Sequence, residues 1–170
     1  EFDWDWSTPQ CNRVAVVNAL VGSQGQDCQY LEIGCDKDSL FNAVGCADKV
    51  GVDPSRGGTL RLTSDEFFAS NEDKFDVIFV DGLHEYKQVR RDAINAAACL
   101  RPGGWMAFHD FLPRTWREQH VPRLNRRWTG DCWKLAVELA ASPDFDFRIL
   151  KVDHGIGVVR PNTENPQLVD

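Results

Sequence analysis

The stretch that decides the fold runs Phe75-Asp-Val-Ile-Phe-Val-Asp-Gly-Leu-His-Glu-Tyr86. Its apolar first half predicts a buried β-strand, and polar side chains follow at the point where the strand ends. A second stretch, Trp105-Met-Ala-Phe-His-Asp110, repeats the pattern. In an open α/β sheet, ligands bind beyond the carboxyl ends of the strands, so the two sets of polar residues should meet in one crevice. The chain is therefore predicted to be an enzyme.

Composition limits the classes of partner. The chain has 170 residues, of which 42% are hydrophobic and 26% charged, which predicts one globular domain with an adequate core. Its formal net charge of -7 argues against nucleic acid, because phosphate binding needs a basic surface. No apolar run approaches the roughly 20 residues that span a bilayer, and no charged-then-apolar leader opens the sequence. We expect a small-molecule partner, no membrane or nucleic-acid partner, and a cytoplasmic location.

The six cysteines do not resemble a disulfide or zinc framework. None of them forms a Cys-x-x-Cys pair, and most lie inside apolar segments, where a free thiol packs as a small hydrophobic group. Buried structural thiols are predicted.

Hydrophobic periodicity and turn residues set the order of the elements. They predict helices over 13–20 and 39–44, a helix that begins at Ser64 or Asp65 and runs through Phe68, a helix over 85–100, and one capped by Asp131 that runs to 141. They predict strands over 28–33, 49–52, 59–62, 75–80, 105–109, 147–152 and 156–159, the last two forming a hairpin. Alternating strands and helices predict an α/β fold, a doubly wound and mostly parallel sheet with an antiparallel C-terminal hairpin.

This order of elements, with Leu31-Glu-Ile-Gly34 ending the first strand, resembles the class I S-adenosylmethionine-dependent methyltransferases, which are Rossmann-like. The pattern is similar to that of the compact bacterial family that includes macrocin-type O-methyltransferases, and the resemblance covers about residues 28–160. It implies a single methyltransferase domain over 1–170, with an N-terminal extension and helix (1–27), a core sheet (28–160) and a tail (161–170).

The resemblance implies that S-adenosylmethionine binds where the first strands end. Its acidic-x-glycine motif would hold the methionine part, Asp53 the ribose hydroxyls, and Ser64-Asp65 the adenine. The implied cofactor residues are Glu32, Gly34, Cys35, Asp53, Pro54, Ser64, Asp65, Asp81 and Gly82. Plainer interpretations stay open: a simple turn at Gly34, a turn-forming Asp53 before Pro54, and helix capping by Ser64 or Asp65.

The loop after Gly34 departs from the family pattern, because it carries no second or third glycine. A nicotinamide dinucleotide needs its pyrophosphate at a Gly-x-Gly-x-x-Gly turn, so the same loop argues against a nicotinamide enzyme.

The resemblance to metal-dependent O-methyltransferases implies that Asp81, His109 and Asp110 hold Mg²⁺ or Mn²⁺. His109 departs from the usual oxygen donor, and a nitrogen ligand shifts the preference toward Mn²⁺, Fe²⁺ or Zn²⁺. His84 lies where relatives place a basic lysine, so we expect His84, beside Asp81, to accept the acceptor's proton. The alternatives are that His109 only packs at the strand end, that Asp110 caps a turn, and that His84 is exposed.

The predicted function is O-methylation of a small hydroxylated acceptor, a sugar or secondary metabolite, assisted by a divalent metal. A metal-independent methyltransferase and a non-catalytic module that binds the S-adenosyl nucleoside are the alternatives. Residues 111–116 should border the acceptor, and the basic run 114–127 is interpreted as a solvated face or a patch that guides an anionic substrate. Trp128 and Trp133 are expected in the core or stacked on a sugar. A homodimer could complete the pocket.

Overall fold

A computed structural model describes residues 11–169, so the predictions for residues 1–10 of the N-terminal extension and for Asp170 lie outside the described part of the chain. The helices are α1 (Arg13–Gln24), α2 (Ser64–Ser70), α3 (Tyr86–Cys99) and α4 (Trp133–Ala141), with a 3-10 turn at Phe41–Ala43. The strands are β1 (Gln29–Ile33), β2 (Asp48–Val52), β3 (Phe75–Val80), β4 (Leu100–Phe108), β5 (Phe145–Leu150) and β6 (Ile156–Pro161).

The strands described in residues 11–169 form one six-stranded sheet in the order β2-β1-β3-β4-β6-β5. The pairs from β2 to β4 are parallel, whereas β6 runs antiparallel to both β4 and β5. The predicted doubly wound sheet with an antiparallel C-terminal hairpin is confirmed. Because the strand order reverses between β1 and β3, a crevice opens at their carboxyl ends, which is where such sheets bind ligands.

Strand β3 is buried on both faces, which explains its nearly continuous apolar sequence. Val77 and Phe79 pack with α1 and the 3-10 turn on one face of the sheet. Ile78 and Val80 pack with α3 and α4 on the other. Because the end of β3 is packed on both faces, the backbone of the polar residues that follow it has a fixed position.

The predicted strand over 59–62 is wrong. In this segment Leu60 makes a single parallel bridge to Val52 at the edge of the sheet. The chain then enters α2 after Thr63. The alternating apolar residues of this stretch therefore form one isolated bridge and not a series of strand hydrogen bonds. The predicted strand at 105–109 also begins earlier, because β4 starts at Leu100 and runs through Pro102-Gly-Gly104 with a register shift against β3.

Two helix caps differ from the predictions. Thr63, and not Ser64 or Asp65, caps α2, with Glu66 completing a capping box. The side chain of Asp131 caps a different helix: its Oδ1 accepts from the Tyr86 N–H at 2.6 Å, at the start of α3. Such a choice depends on tertiary packing, because Asp131 and Tyr86 lie far apart in the sequence.

The cysteines are free thiols, and five of them are buried while Cys11 is exposed. Burial raises the pKa of Cys99 to about 11 and that of Cys28 to about 12, so these thiols stay protonated and pack as apolar groups.

Across residues 11–169, no helix combines the length and the apolar character that crossing a bilayer requires. The longest of the four helices, α3, has 14 residues.

Candidate active site

A cleft of about 1090 Å³ opens at the carboxyl ends of β1 and β3. A volume of this size accommodates a nucleoside and a second small molecule. It brings together all of the residues that the sequence singled out for the cofactor, the metal and catalysis: Glu32, Gly34, Cys35, Asp53, Pro54, Ser64, Asp65, Asp81, Gly82, His84, His109 and Asp110. Their convergence is a property of the fold.

Gly34 closes the gap between β1 and β3. Its φ is +89°, and a Cβ at this position would overlap the carbonyl oxygen of Asp81. The Asp81 N–H donates to Ile33 O at 2.8 Å in the same place. Glycine is therefore needed here for a close backbone approach and not only for a turn.

The loop after Gly34 is shaped without further glycines of its own. Asp36 and Asp38 adopt φ values of +46° and +61°, a conformation that Asp tolerates better than most residues. The glycines that allow the close packing come from the loop after β2: a Cβ on Gly57 would overlap the Asp36 carbonyl oxygen, and Gly58 N–H donates to Asp38 Oδ1 at 2.6 Å. The loop after Gly34 is thus held from the opposite side by the loop after β2.

Asp53 anchors this pair of loops. Its Oδ1 accepts from the N–H groups of Ser55 and Arg56 at 2.8 and 2.9 Å, and its Oδ2 accepts from Asp36 N–H at 3.0 Å. Burial would raise the pKa of Asp53, but these backbone donors outweigh it and lower the pKa below its ordinary value. The observed contacts of Asp53 therefore fit the turn-forming interpretation, and the same carboxylate also lines the cleft.

The far end of the cleft is built by Gln88, which sequence reasoning missed. Its Nε2 donates to Ser64 Oγ at 3.1 Å, to Asp65 Oδ1 at 2.9 Å and to Asp92 Oδ1 at 3.0 Å. Gln88 lies near the start of α3, inside an amphipathic pattern that gave no local signal. It joins α2 to α3 and fixes Asp65 at the cleft wall.

Glu32 is a buried acid on β1 that lines the cleft and is 1% exposed. Burial raises its pKa to about 7; the Tyr30 hydroxyl, which donates to Glu32 Oε2 at 2.6 Å, opposes the shift, and the charge of Asp81 adds to it. Glu32 is therefore partly protonated near neutral pH.

At the other end of the cleft, Arg13 joins two carboxylates. Its Nη1 lies 2.5 Å from Asp81 Oδ2, and its Nε lies 2.7 Å from Asp153 Oδ2. Neither Arg13 nor Asp153 was identified from the sequence, because one begins α1 and the other lies in the β5–β6 turn, far from the strand ends that gave the signal. Tertiary packing alone brings them to the site.

His109 lies inside a ring of acids, with its side chain 4% exposed. Its Nδ1 lies 3.2 Å from Asp81 Oδ1 and 3.1 Å from Asp110 Oδ1, and its Nε2 lies 3.6 Å from Asp153 Oδ1. Burial lowers the pKa of His109, but the charges of Asp81 and Asp110 outweigh it and raise the pKa well above its ordinary value. In this arrangement His109 acts as a counter-cation for the carboxylates.

The donor atoms that converge within 4.8 Å of one another belong to Asp81, His84 and Asp110. This set differs from the predicted metal ligands by having His84 in place of His109. Two carboxylates and an imidazole match the donors that divalent cations such as Mn²⁺ take, and the two carboxylates alone match Mg²⁺. The residues present therefore fit a divalent metal.

His84 is held in one orientation. Its Nδ1 lies 2.6 Å from Asp110 Oδ2, its Nε2 lies 3.7 Å from Asp81 Oδ1, and its ring stacks on Trp128 with centroids 5.4 Å apart. Burial lowers the pKa of His84, but the hydrogen bond to Asp110 and the charge of Asp81 outweigh it, so the pKa is raised. With 26% of its side chain exposed, His84 lies at the cleft wall and is not a free loop residue.

Trp128 is neither core nor free. It is half-buried, lines the cleft, and donates from Nε1 to His120 O at 2.7 Å. The loop that carries it closes at Gly130, where φ is +60° and a Cβ would overlap the His84 carbonyl oxygen. Glycine at 130 thereby brings Trp128 against His84.

A family model described as a methyltransferase domain matches residues 43–111, the part of the chain that runs from before β2 to just after β4. This part of the chain resembles a methyltransferase domain. The match includes Asp53, Asp81 and Asp110, and with it the predicted resemblance to class I methyltransferases and the prediction of a methyltransferase enzyme are confirmed.

Several solved structures share the fold of this chain. The SAH-bound methyltransferase PaMTH1 of Podospora anserina is 18% identical with a TM-score of 0.59, over 88% of this chain and 77% of that one. An O-methyltransferase from Bacillus cereus in complex with SAH is also 18% identical with a TM-score of 0.59, over 86% and 80%.

MycE, a methyltransferase of the mycinamycin biosynthetic pathway solved with Mg and SAH, is 15% identical with a TM-score of 0.63; the alignment covers 92% of this chain and 51% of MycE. This chain thus spans about half the length of MycE. A search among curated proteins found no match.

Proposed function

We propose that this methyltransferase domain transfers a methyl group from S-adenosylmethionine to a hydroxyl group of a small acceptor, assisted by a divalent metal. The observation that carries the proposal is the single cleft, which joins the loops after β1 and β2 to the His84–Asp110 pair. Methyl transfer requires the cofactor and the acceptor to meet in one place, with a proton acceptor beside them. This cleft has room for both molecules, and the His84 imidazole lies at its wall.

The cofactor end would hold the nucleoside through its backbone turns and carboxylates. Bound S-adenosylmethionine supplies an activated methyl group on a sulfonium. Asp53 keeps acceptor capacity for ribose hydroxyls while it anchors the loop, and Asp65, fixed by Gln88, lies where an exocyclic amine could donate to it. Glu32 offers a buried carboxylate close to where the methionine part would lie.

The acceptor end would remove the hydroxyl proton. Asp110 holds Nδ1 of His84, which leaves Nε2 of the neutral imidazole directed toward Asp81 and the cleft as the proton acceptor. Since the methyl group is already activated, the largest contribution of the protein is to align the acceptor, and Trp128 restrains the ring that does so.

Asp81 and Asp110 would hold the metal, with His84 beside them. A divalent ion bound there would lower the pKa of an acceptor hydroxyl and fix its direction. MycE has been solved in complex with Mg, SAH and mycinamycin VI together, which supports a small-molecule acceptor and a metal for this chain as well.

One observation favours a metal-independent reaction as the second candidate. Arg13 and His109 already contact the carboxylates of Asp81 and Asp110, so positive charge is present at the site from the protein itself. In this variant of the mechanism, His84 and Asp110 act alone on the acceptor.

Calorimetric titration with S-adenosylhomocysteine tests the cofactor. Micromolar binding to the wild type is expected, and binding at least tenfold weaker is expected in Asp65→Ala. The exposed Asp146→Asn, on β5 outside the cleft, serves as the control and should bind like the wild type. No binding to the wild type would refute the methyltransferase proposal.

A screen of hydroxylated acceptors with a labelled methyl donor, run with chelator and with added Mg²⁺ or Mn²⁺, separates the metal roles. A metal enzyme loses its turnover with chelator and regains it with metal, and Asp110→Asn abolishes the response to metal. Equal turnover under both conditions would support the metal-independent reaction. Binding of S-adenosylhomocysteine without any turnover would support the non-catalytic module.

We also propose that the chain acts as one methyltransferase domain. A homodimer that completes the acceptor pocket and a cytoplasmic location stay predictions from the sequence. Sedimentation velocity tests the first, and fractionation of the native source tests the second.

A further inference from the structure

We propose that the acceptor carries an anionic group and that Arg126 and Arg127, supported by Arg123, bind it at the mouth of the cleft. This inference rests on the proposed methyltransferase function and names its substrate class: a hydroxylated small molecule bearing a phosphate, sulfate or carboxylate.

The first support is the local charge. The chain as a whole has a formal net charge of -7, yet residues 114–127 contain five arginines and a single acid, Glu118. Glu118 is buried, 5% exposed, and its Oε2 accepts from the Arg114 N–H at 2.8 Å. The Glu118 carboxylate therefore faces the loop and does not line the cleft. A positive patch on a negative protein concentrates anions at that point of the surface.

The second support is that these arginines line the cleft without acidic partners. Arg126 and Arg127 are exposed at the cleft wall, and neither forms an ion pair with any residue between 11 and 169. Arg123 donates from Nε to Asn125 O at 2.8 Å and from Nη2 to Arg126 O at 2.5 Å, and it too has no carboxylate partner within residues 11–169. By contrast, Arg13 at the inner end of the cleft is paired with two carboxylates.

The third support is that the loop is anchored and not loose. Thr129 N–H donates to Glu118 O at 3.0 Å, and the Trp128 indole donates to His120 O at 2.7 Å. These hydrogen bonds restrain the backbone that carries the arginines, so less conformational entropy of the loop is lost when the arginines bind a ligand.

The fourth support is the position of the patch relative to the proposed base. Trp128 stacks on His84, and the Arg123 guanidinium lies 5.8 Å from the Trp128 ring centroid. An acceptor whose hydroxyl reaches His84 would extend along Trp128 toward the arginines. Guanidinium groups bind oxyanions through paired, charge-assisted hydrogen bonds, which suits phosphate, sulfate and carboxylate alike.

Anion titration of the protein saturated with S-adenosylhomocysteine tests the inference without a known acceptor, because saturation blocks the cofactor's own carboxylate site. The probes are inorganic phosphate, sulfate and acetate, and the proteins are the wild type, the double variant Arg126→Gln/Arg127→Gln, and the control Arg117→Gln. Arg117 lies in the same basic run, is exposed, and does not line the cleft.

We expect the wild type and Arg117→Gln to bind at least one anion equally, and the double variant to bind it about tenfold more weakly, since two charge-assisted contacts are lost. The anion bound most tightly identifies the group. Equal affinity in all three proteins, or no anion binding by the wild type, would overturn the inference and leave the methyltransferase proposal standing.

Matched acceptors give a second readout. Glucose with glucose 6-phosphate, and 3,4-dihydroxybenzyl alcohol with 3,4-dihydroxybenzoate, differ by one anionic group. A preference for the charged member of a pair that the double variant loses would support the inference, and a preference for the neutral member would overturn it. Failure of S-adenosylhomocysteine itself to bind would instead refute the proposed function.

Discussion

Replacing Glu32 by Gln should change how the stability of the protein depends on pH. The substitution keeps the shape of the side chain and an oxygen for the Tyr30 hydroxyl, but it removes the ionisation of a carboxyl group that is 1% exposed. Burial raises the pKa of Glu32 from 4.5 to about 7, so the folded protein binds this proton more tightly than the unfolded chain does.

The sign and size of the effect follow from that shift. A raised pKa contributes stability that is complete below the unfolded value of 4.5 and is lost as the pH rises through about 7. Integrated between about pH 5 and about pH 8, the loss of unfolding free energy in the wild type is about 2.5 kcal/mol. The Gln variant lacks this loss, so relative to the wild type it should gain about 2.5 kcal/mol over the same range.

Urea unfolding at several pH values across that range measures the difference. Glu72→Gln, the same substitution on the exposed segment before β3, is the control and should track the wild type at every pH. A constant difference between Glu32→Gln and the wild type would refute the reasoning, because it would mean that Glu32 ionises equally easily in the folded and unfolded chain.

Three other substitutions test the catalytic end of the cleft and helix α1. Gly130→Ala places a Cβ on the His84 carbonyl oxygen at φ +60°, so it should lower the free energy of unfolding in urea by about 1–2 kcal/mol. It should also displace His84 and lower turnover about 100-fold, while cofactor binding measured by calorimetry is retained. Gly22→Ala, which meets nothing within 4 Å inside α1, should instead raise the unfolding free energy by about 0.5–1 kcal/mol. Asp110→Asn removes the hydrogen bond and the charge of Asp110, both of which raise the pKa of His84. The rising limb of the pH–rate profile should therefore move to lower pH, and turnover should fall. A rising limb that does not move would exclude His84 as the base.

The sequence predicted the sheet well because the information was local. The apolar run of β3 and its polar ending identified both a strand and its place in the sheet, and the rule that ligands collect at the carboxyl ends placed Asp81, His84 and Asp110 in one cleft. The failed strand at 59–62 shows the limit of the method, since alternation over four residues cannot distinguish a ladder from the single bridge of Leu60.

The missed residues were missed for a different physical reason. Arg13 and Gln88 reach the cleft from the first turns of two helices, and Asp153 reaches it from a hairpin turn. Their importance comes from partners that are distant in the sequence. The cap made by Asp131 is similar, because nothing near that residue indicates that it serves α3. Contacts of this kind become visible only once the sheet has brought its edges together.

The glycines at 57 and 58 change what a search of sequences should look for. The loop after β1 and the loop after β2 approach each other closely. This approach depends on both segments, and either one can supply the residue that lacks a side chain. A pattern written for the loop after the first strand would discard this chain, although its backbone keeps the close approach. A search for folds of this kind is therefore better framed as a pair of facing loops than as one string of letters.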